Sequence, residues 1–101
     1  MENIITGTDE VVKQIIAEGG TAIIDFYAEW CGPCRTLGPV LDSIAQENPE
    51  IKVVKVNVDE NSELTAEFGV RSIPAVYIYK GGEKINQFVG MKGKEDIKSM
   101  L

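Results

Sequence analysis

Two long apolar runs constrain the fold more than any other feature of the chain. They are "TAIIDFYA" at 21–28 and "IKVVKVNV" at 51–58. A strand with one face in water alternates apolar and polar residues, whereas a strand buried on both faces reads as a nearly continuous apolar run. We therefore predict that 21–28 is a strand buried on both faces. The run at 51–58, which is rich in β-branched residues, is predicted to be a second central strand.

The segment between the two runs is a predicted helix that ends near Asn48-Pro49. Its apolar residues recur at helical spacing and are Leu37, Val40, Leu41, Ile44 and Ala45. A strand, a helix and a second strand in this order favour a right-handed crossover and a parallel sheet.

The remaining segments complete the order β-α-β-α-β-α-β-β-α. We predict a strand at Ile4-Ile5, helices over 9–18, 62–68 and 94–101, and strands at 75–79 and 83–89 joined by a turn at Gly81-Gly82. The sequence therefore predicts one α/β domain over 1–101, with a mixed five-stranded sheet flanked by four helices.

Charge and hydropathy exclude several classes of function. The chain has 16 acidic and 10 basic residues and a net charge of −6, which argues against a nucleic-acid partner. Its apolar runs are too short to cross a bilayer, and the start "MENIITGTDE" has no signal-peptide pattern. We expect a soluble, monomeric, cytoplasmic protein with no membrane partner.

The only two cysteines lie in the segment "WCGPC" at 30–34. A disulfide across so short a loop contributes only about 2 kcal/mol, against roughly 4.7 for a loop of 100 residues. A structural zinc ion takes four Cys or His ligands, and the chain has no histidine and no other cysteine. We therefore favour a redox pair over a structural staple or a metal site.

The position of the pair between a buried strand and a helix supports redox chemistry. The N-terminus of a helix favours thiolate over thiol, and the thiolate is the nucleophile. We expect Cys31 to be exposed at the helix cap and to attack a substrate disulfide. Cys34, one turn further and more buried, would then release the substrate. Gly32 lets the backbone turn, and Pro33 suits the first helical turn.

Asp25 and Lys55 are charged residues in the interior of the two runs. Asp25 lies between Ile24 and Phe26, where desolvation should raise the pKa of its carboxyl group. The carboxyl is either held by hydrogen bonds without a chemical role or is the proton acceptor for Cys34, and we favour the second interpretation. Lys55 is either the charged partner of Asp25 or a lysine whose ammonium reaches water, and the sequence leaves both open.

Pro74 and two aromatic residues complete the list of candidates. Pro74 stands in "RSIPAV" at the start of a predicted strand, where proline is tolerated. Only about 5–6% of X–Pro bonds are cis, so frequency alone predicts a trans bond. We interpret Trp30, beside an exposed cysteine, as a contact surface and Tyr27 as part of the core.

Three segments in this order resemble a known family. "DFYAEWCGPC" is similar to the active-site segment of the thioredoxin family, "RSIPAVYIYKGGE" to its cis-proline strand and hairpin, and "FVGMK" at 88–92 to its glycine loop. The similarity covers nearly the whole chain. It implies the thioredoxin fold and a protein disulfide reductase with no bound cofactor beyond the redox-active Cys31–Cys34 disulfide.

The resemblance also implies roles for individual residues. Cys31 would be the nucleophile and Cys34 the resolving cysteine, while Asp25 and Lys55 match the buried aspartate and its nearby lysine. The candidate catalytic residues are therefore Cys31, Cys34, Asp25 and Lys55. The implied substrate surface comprises Trp30, Gly32, Pro33, Ile73, Pro74, Gly90 and Met91.

The resemblance further implies a geometry and partners. Pro74 would be cis and packed against the disulfide, Pro39 would kink the helix, and the backbone of Ile73 would pair with substrate as an added strand. The partners would be disulfide-containing proteins and a thioredoxin reductase, either an NADPH-dependent flavoprotein or a ferredoxin-linked enzyme. Tyr27 departs from the tryptophan that is often found at its position.

Two other functions stay open on the sequence. The fold could serve as a binding or assembly subunit that uses the Trp30–Pro74 surface, or as a dedicated electron donor for one enzyme. The Gly-Pro spacer favours a reductant, because relatives with oxidising roles often carry a histidine that stabilises the reduced form.

Overall fold

A computed structural model describes residues 2–101 as five strands and four helices. The strands are β1 (Ile4–Thr6), β2 (Ala22–Tyr27), β3 (Lys52–Asn57), β4 (Ala75–Lys80) and β5 (Glu83–Val89). The helices are α1 (Asp9–Glu18), α2 (Gly32–Glu47), α3 (Ser62–Glu67) and α4 (Lys94–Lys98). The predicted order of elements is confirmed.

The five strands form one mixed sheet in the order β1-β3-β2-β4-β5. Strands β1, β3 and β2 are parallel, β4 runs antiparallel to β2, and β5 runs antiparallel to β4. The two apolar runs thus supply β2 and β3, which have a neighbour on each side. The mixed sheet with two central strands is as predicted.

The last helix is shorter than the sequence predicts. We expected it to cover 94–101, whereas α4 ends at Lys98. The N–H of Met100 donates to the carbonyl of Ile97, three residues back, at 2.9 Å. This bond tightens the chain into a turn instead of continuing the α-helix.

A hydrophobic core lies on each face of the sheet. Ile23 and Val53 face α2 and α4, and the following residues, Ile24 and Val54, face α1 and α3. Residues 22–26 of β2 are buried on both faces, as predicted, whereas β3 combines buried residues with partly buried ones. Asp25 therefore points to the same face as Ile23, toward α2.

The register of β2 and β3 places two charged residues side by side. The Cα atoms of Asp25 and Lys55 are direct partners in the parallel ladder, so both side chains leave the sheet on the α2 face. Strand β2 ends at Tyr27, and α2 begins five residues later at Gly32. The carboxyl end of β2 thus brings Asp25 close to the N-terminus of α2.

Gly7 follows β1 at a point where no side chain fits. A Cβ atom there would lie 2.7 Å from Cγ2 of Val56 and 2.8 Å from Cγ1 of Val54. We expect Gly7→Ala to lower the free energy of unfolding by about 1–3 kcal/mol through overpacking, measured by urea denaturation. Gly20→Ala is the matched control, since nothing lies within 4 Å of its Cβ position, and an equal loss in both variants would contradict the prediction.

Among residues 2–101, none of the helices combines the length and the apolar character needed to cross a membrane.

Candidate active site

The two cysteines form a disulfide at the N-terminus of α2. Their Cα atoms lie 5.3 Å apart. Cys31 is the N-cap residue of the helix, and its Sγ accepts a hydrogen bond from the N–H of Cys34 at 3.2 Å. Pro33 occupies the first turn, where its missing N–H leaves no bond unmade, and Pro39 lies inside the helix. A donor already aimed at Sγ stabilises the thiolate that forms when the bond is reduced.

The expected difference in exposure between the cysteines is wrong for this disulfide form. We expected an exposed Cys31 and a more buried Cys34, but their relative exposures are 5% and 6%. The sulfur atoms cover each other, and both residues pack with Ala28 and with the partly buried Tyr27, Val58 and Ile73. The asymmetry of the pair lies in the capping position of Cys31 and not in its exposure.

The loop before β4 covers the disulfide. The Ile73–Pro74 peptide bond is cis, as the resemblance implies and against the frequency of X–Pro bonds. The carbonyl oxygen of Ile73 lies 3.9 Å from Sγ of Cys31. The carbonyl oxygen of Pro74 accepts a hydrogen bond from the N–H of Gly90 at 2.8 Å. Residues far apart in sequence thus meet beside Cys31.

The surface around the disulfide is exposed and partly apolar. Trp30 is 69% exposed and Met91 is 43% exposed, while Gly32 and Pro33 lie in the exposed first turn of α2. Trp30 and Ile73 line a shallow depression of about 160 Å³. The remaining lining residues, which the sequence reasoning missed, are Val58, Thr65, Val70 and Arg71.

Trp30 is held in place by a residue that the sequence did not single out. Its indole Nε1–H donates to Oδ2 of Asp59 at 2.9 Å. The bond fixes the ring although most of its surface is open to solvent. Trp30 thus presents an oriented ring to solvent beside Cys31.

Asp25 is buried beneath the site. It is 3% exposed, and its Oδ1 receives no hydrogen bond from any residue in the range 2–101. Burial raises the pKa of Asp25 to about 7, while the charge of Lys55 lowers it and that of Asp42 raises it further. Asp25 and Cys34 line the same pocket, of about 220 Å³. The carboxyl can therefore change its protonation state near neutral pH beside the second cysteine.

Lys55 lies next to Asp25 but makes its ion pair with another carboxylate. Its Nζ is 2.6 Å from Oδ1 of Asp42. The contact is an ion pair that lacks the geometry of a hydrogen bond. The side chain of Lys55 is 24% exposed. The interpretation of Lys55 as the ion-pair partner of Asp25 is thus wrong, because an accessible carboxylate on α2 binds the ammonium instead. Lys55 still acts on Asp25 through its charge.

The sequence contained a signal for Asp42 that was not used. Cys34, Gly38 and Asp42 are spaced at four-residue intervals on α2, so they share one face of the helix. That face lies over Asp25 and Lys55, both of which line a pocket with Cys34 and Gly38.

Within residues 2–101, no three Cys, His, Asp or Glu side chains come together as metal ligands.

Comparison with known proteins places these features in a family. The family model described as Thioredoxin matches residues 3–101. Thioredoxin 1 of Nostoc sp. is 45% identical over 96 residues, which cover 93% of this chain and 90% of that protein. Thioredoxin of Alicyclobacillus acidocaldarius is 41% identical over 98 residues, covering 96% and 93%.

Solved structures agree with the sequence matches. A mutant thioredoxin from Halobacterium salinarum superposes with a TM-score of 0.89 at 29% identity, covering 98% of this chain and 88% of that one. The oxidised mitochondrial thioredoxin 3 of Saccharomyces cerevisiae gives 0.86 at 29% identity, covering 98% and 94%. With a cysteine pair at the N-terminus of α2 and a matching fold over nearly its whole length, the chain belongs to the thioredoxin family of thiol–disulfide oxidoreductases.

Proposed function

We propose that the chain is a protein disulfide reductase in which Cys31 attacks and Cys34 resolves. The thiolate of Cys31 attacks one sulfur of a substrate disulfide, forms a mixed disulfide and expels the second substrate sulfur as a thiolate, which takes a proton from water. Cys34 loses its proton and attacks Sγ of Cys31. This attack breaks the bond between Cys31 and the substrate, whose sulfur leaves as a thiolate and takes up a proton. The substrate dithiol has gained two electrons, and the protein has lost two in forming the Cys31–Cys34 disulfide.

The capping geometry supports these roles. Cys31 is the N-cap of α2, where the N–H of Cys34 points at its sulfur, so its thiolate is the better stabilised of the two. Cys34 is inside the first turn and faces the pocket that Asp25 lines. The arrangement therefore favours Cys31 as the sulfur that attacks the substrate disulfide. It favours Cys34 as the sulfur that must lose a proton to a base before it attacks Cys31.

Asp25 is the proposed proton acceptor for Cys34. The observation that carries this role is the buried carboxyl that lines the Cys34 pocket while its Oδ1 has no donor among residues 2–101. A group with a pKa of about 7 is suited to accept a proton at neutral pH and to release it afterwards. Lys55 acts on this equilibrium through its charge and does not touch the reacting sulfurs.

The substrate surface is proposed to lie around the disulfide. An extended segment of the target protein would pair with the backbone of Ile73 as an added strand. Its side chains would contact Trp30, the turn at Gly32-Pro33, and the residues Pro74, Gly90 and Met91. The exposed Trp30 and the adjoining depression support this placement.

The cellular setting is also a proposal. We infer a monomeric cytoplasmic electron carrier in which residues 1–101 work as one domain. A thioredoxin reductase, NADPH-dependent or ferredoxin-linked, would return electrons to the Cys31–Cys34 disulfide. The family match supports a reductase partner, and the absence of histidine from the chain favours a reducing role.

Reduction of insulin by dithiothreitol tests the reductase activity. We expect micromolar wild-type protein to accelerate the precipitation of the insulin B chain well above the rate with dithiothreitol alone. A mixture without the protein and one with the Cys31→Ser variant are the controls. A wild-type rate equal to that of dithiothreitol alone would contradict the reductase function and favour a binding or assembly subunit.

A further inference from the structure

Two carboxyl groups compete for one ammonium group beside the disulfide. Lys55 stands directly across the parallel ladder from Asp25, so its stem starts next to that carboxyl, about 5 Å away in the sheet. Its Nζ nevertheless lies 2.6 Å from Oδ1 of Asp42 on α2. Among residues 2–101, this is the only ion pair of Lys55, and Oδ1 of Asp25 is left without a donor.

Burial explains which carboxyl binds the ammonium. The side chains of Lys55 and Asp42 are 24% and 35% exposed, so both groups keep part of their hydration, although Oδ1 of Asp42 itself is buried. Asp25 is 3% exposed, and a pair with it would cost the ammonium most of that hydration. The ammonium passes beside Gly38, where an added Cβ atom would lie 3.7 Å from Nζ, an ordinary van der Waals contact.

We propose that Asp42 is a positioning residue, which holds the Lys55 ammonium on α2 and so keeps the Asp25 carboxyl unpaired and free to exchange a proton with Cys34. The exchange with Cys34 rests on the proposed function, whereas the position of Lys55 does not. Without Asp42, the ammonium can turn to Asp25, which is the direct partner of Lys55 in the ladder.

The groups that face Asp25 from each neighbouring element support this assignment. From β3 comes Lys55, from α2 come Asp42, Cys34 and Arg35, and from β2 and the loop after it come Tyr27 and Glu29. Its partner in β4 is the apolar Val76. Besides burial, only Lys55 and Asp42 shift the pKa of Asp25, in opposite directions.

The first test is a pH titration of Asp25 in the disulfide form of Asp42→Asn. The protonation of Asp25 is monitored by NMR of ¹³C-labelled carboxyl groups. We expect the midpoint to fall by about one pH unit, because an opposite charge that moves close to a carboxylate favours its ionised form. Glu18→Gln is the matched control. It also removes a carboxylate that binds a β3 lysine, Lys52, and should leave the midpoint of Asp25 in place. An unmoved midpoint in Asp42→Asn would overturn the proposal.

A second background separates positioning from a direct effect of the Asp42 charge. We expect Lys55→Gln alone to raise the midpoint of Asp25. In Lys55→Gln, adding Asp42→Asn should move the midpoint much less than it does in the wild type, because no ammonium remains to be released. An equal displacement in both backgrounds would mean that Asp42 acts by its own charge, which would overturn the positioning role.

The kinetics distinguish this proposal from the proposed role of Asp25. If Asp25 is the base, the pH midpoint for release of substrate from the mixed disulfide should fall in Asp42→Asn by the same amount as the titration midpoint. The rate above that midpoint should fall modestly, since the carboxylate is a weaker base. A titration that moves without any change in the kinetic midpoint would support the positioning by Asp42 and overturn Asp25 as proton acceptor.

Discussion

We expect Cys31→Ser to lose disulfide reductase activity, and we expect Cys34→Ser to react once with a disulfide substrate and stay covalently attached to it. Without the sulfur of Cys31, no nucleophile occupies the helix cap, so turnover should fall by at least about a thousandfold. Without the sulfur of Cys34, the first attack still occurs, but nothing displaces the substrate from Cys31. The two variants thus differ in kind and not only in rate.

Each cysteine variant serves as the matched control for the other. Both lose the same disulfide, which for so short a loop stabilises the fold by only about 2 kcal/mol, and both keep the same fold. The measurement is mass spectrometry after mixing each reduced variant with a protein disulfide substrate. A stable adduct on Cys34→Ser and none on Cys31→Ser is expected. An adduct that forms on Cys31→Ser instead would exchange the roles of the two cysteines.

The arrangement of the fold was predictable because burial leaves a direct trace in the sequence. The run at 21–28 is nearly continuous because helices cover both faces of β2, and the β-branched residues of 51–58 lie in the same two cores. The end of α4 was less predictable. The hydrogen bond from the N–H of Met100 to the carbonyl of Ile97 closes a turn where an α-helix could have continued. The two conformations differ little in free energy, and neither Lys98 nor Ser99 is a residue type that fixes the end of a helix.

The site was predictable where one residue carries the information. The Cys31–Cys34 spacing and the lone carboxyl of Asp25 in an apolar strand were both visible in the sequence. The ion pair of Lys55 with Asp42 instead of Asp25 was not visible in the sequence. It depends on the relative hydration of the two carboxyl groups in the folded chain. The equal burial of the cysteines was hidden for a similar reason, since Ile73, some 40 residues away, covers Cys31.

Asp25 also makes the stability of the protein depend on pH. Its pKa is raised from 3.8 to about 7 in the folded protein. Between pH 3.8 and pH 7 the carboxyl is therefore protonated in the folded protein and ionised in the unfolded chain. Unfolding then releases a proton, and a higher pH favours the unfolded state. The stabilisation of the protonated carboxyl is complete below about pH 4 and is lost as the pH rises through 7. Roughly 3 pH units at about 1.4 kcal/mol each amount to about 4 kcal/mol.

Asp25→Asn removes this dependence because the amide is neutral at every pH. The free energy of unfolding of the variant minus that of the wild type should therefore rise by about 4 kcal/mol between pH 3.5 and pH 8, measured by urea denaturation of the disulfide forms. Taking this difference cancels the other carboxyl groups, and any constant cost of burying the amide drops out. Asp96→Asn, at an exposed position of α4, is the control, whose difference should stay within about 0.5 kcal/mol because solvent screens its charge. A flat difference for Asp25→Asn would mean that the carboxyl is already ionised in the folded protein well below pH 7, and a group of that kind could not hold a proton for release near neutral pH.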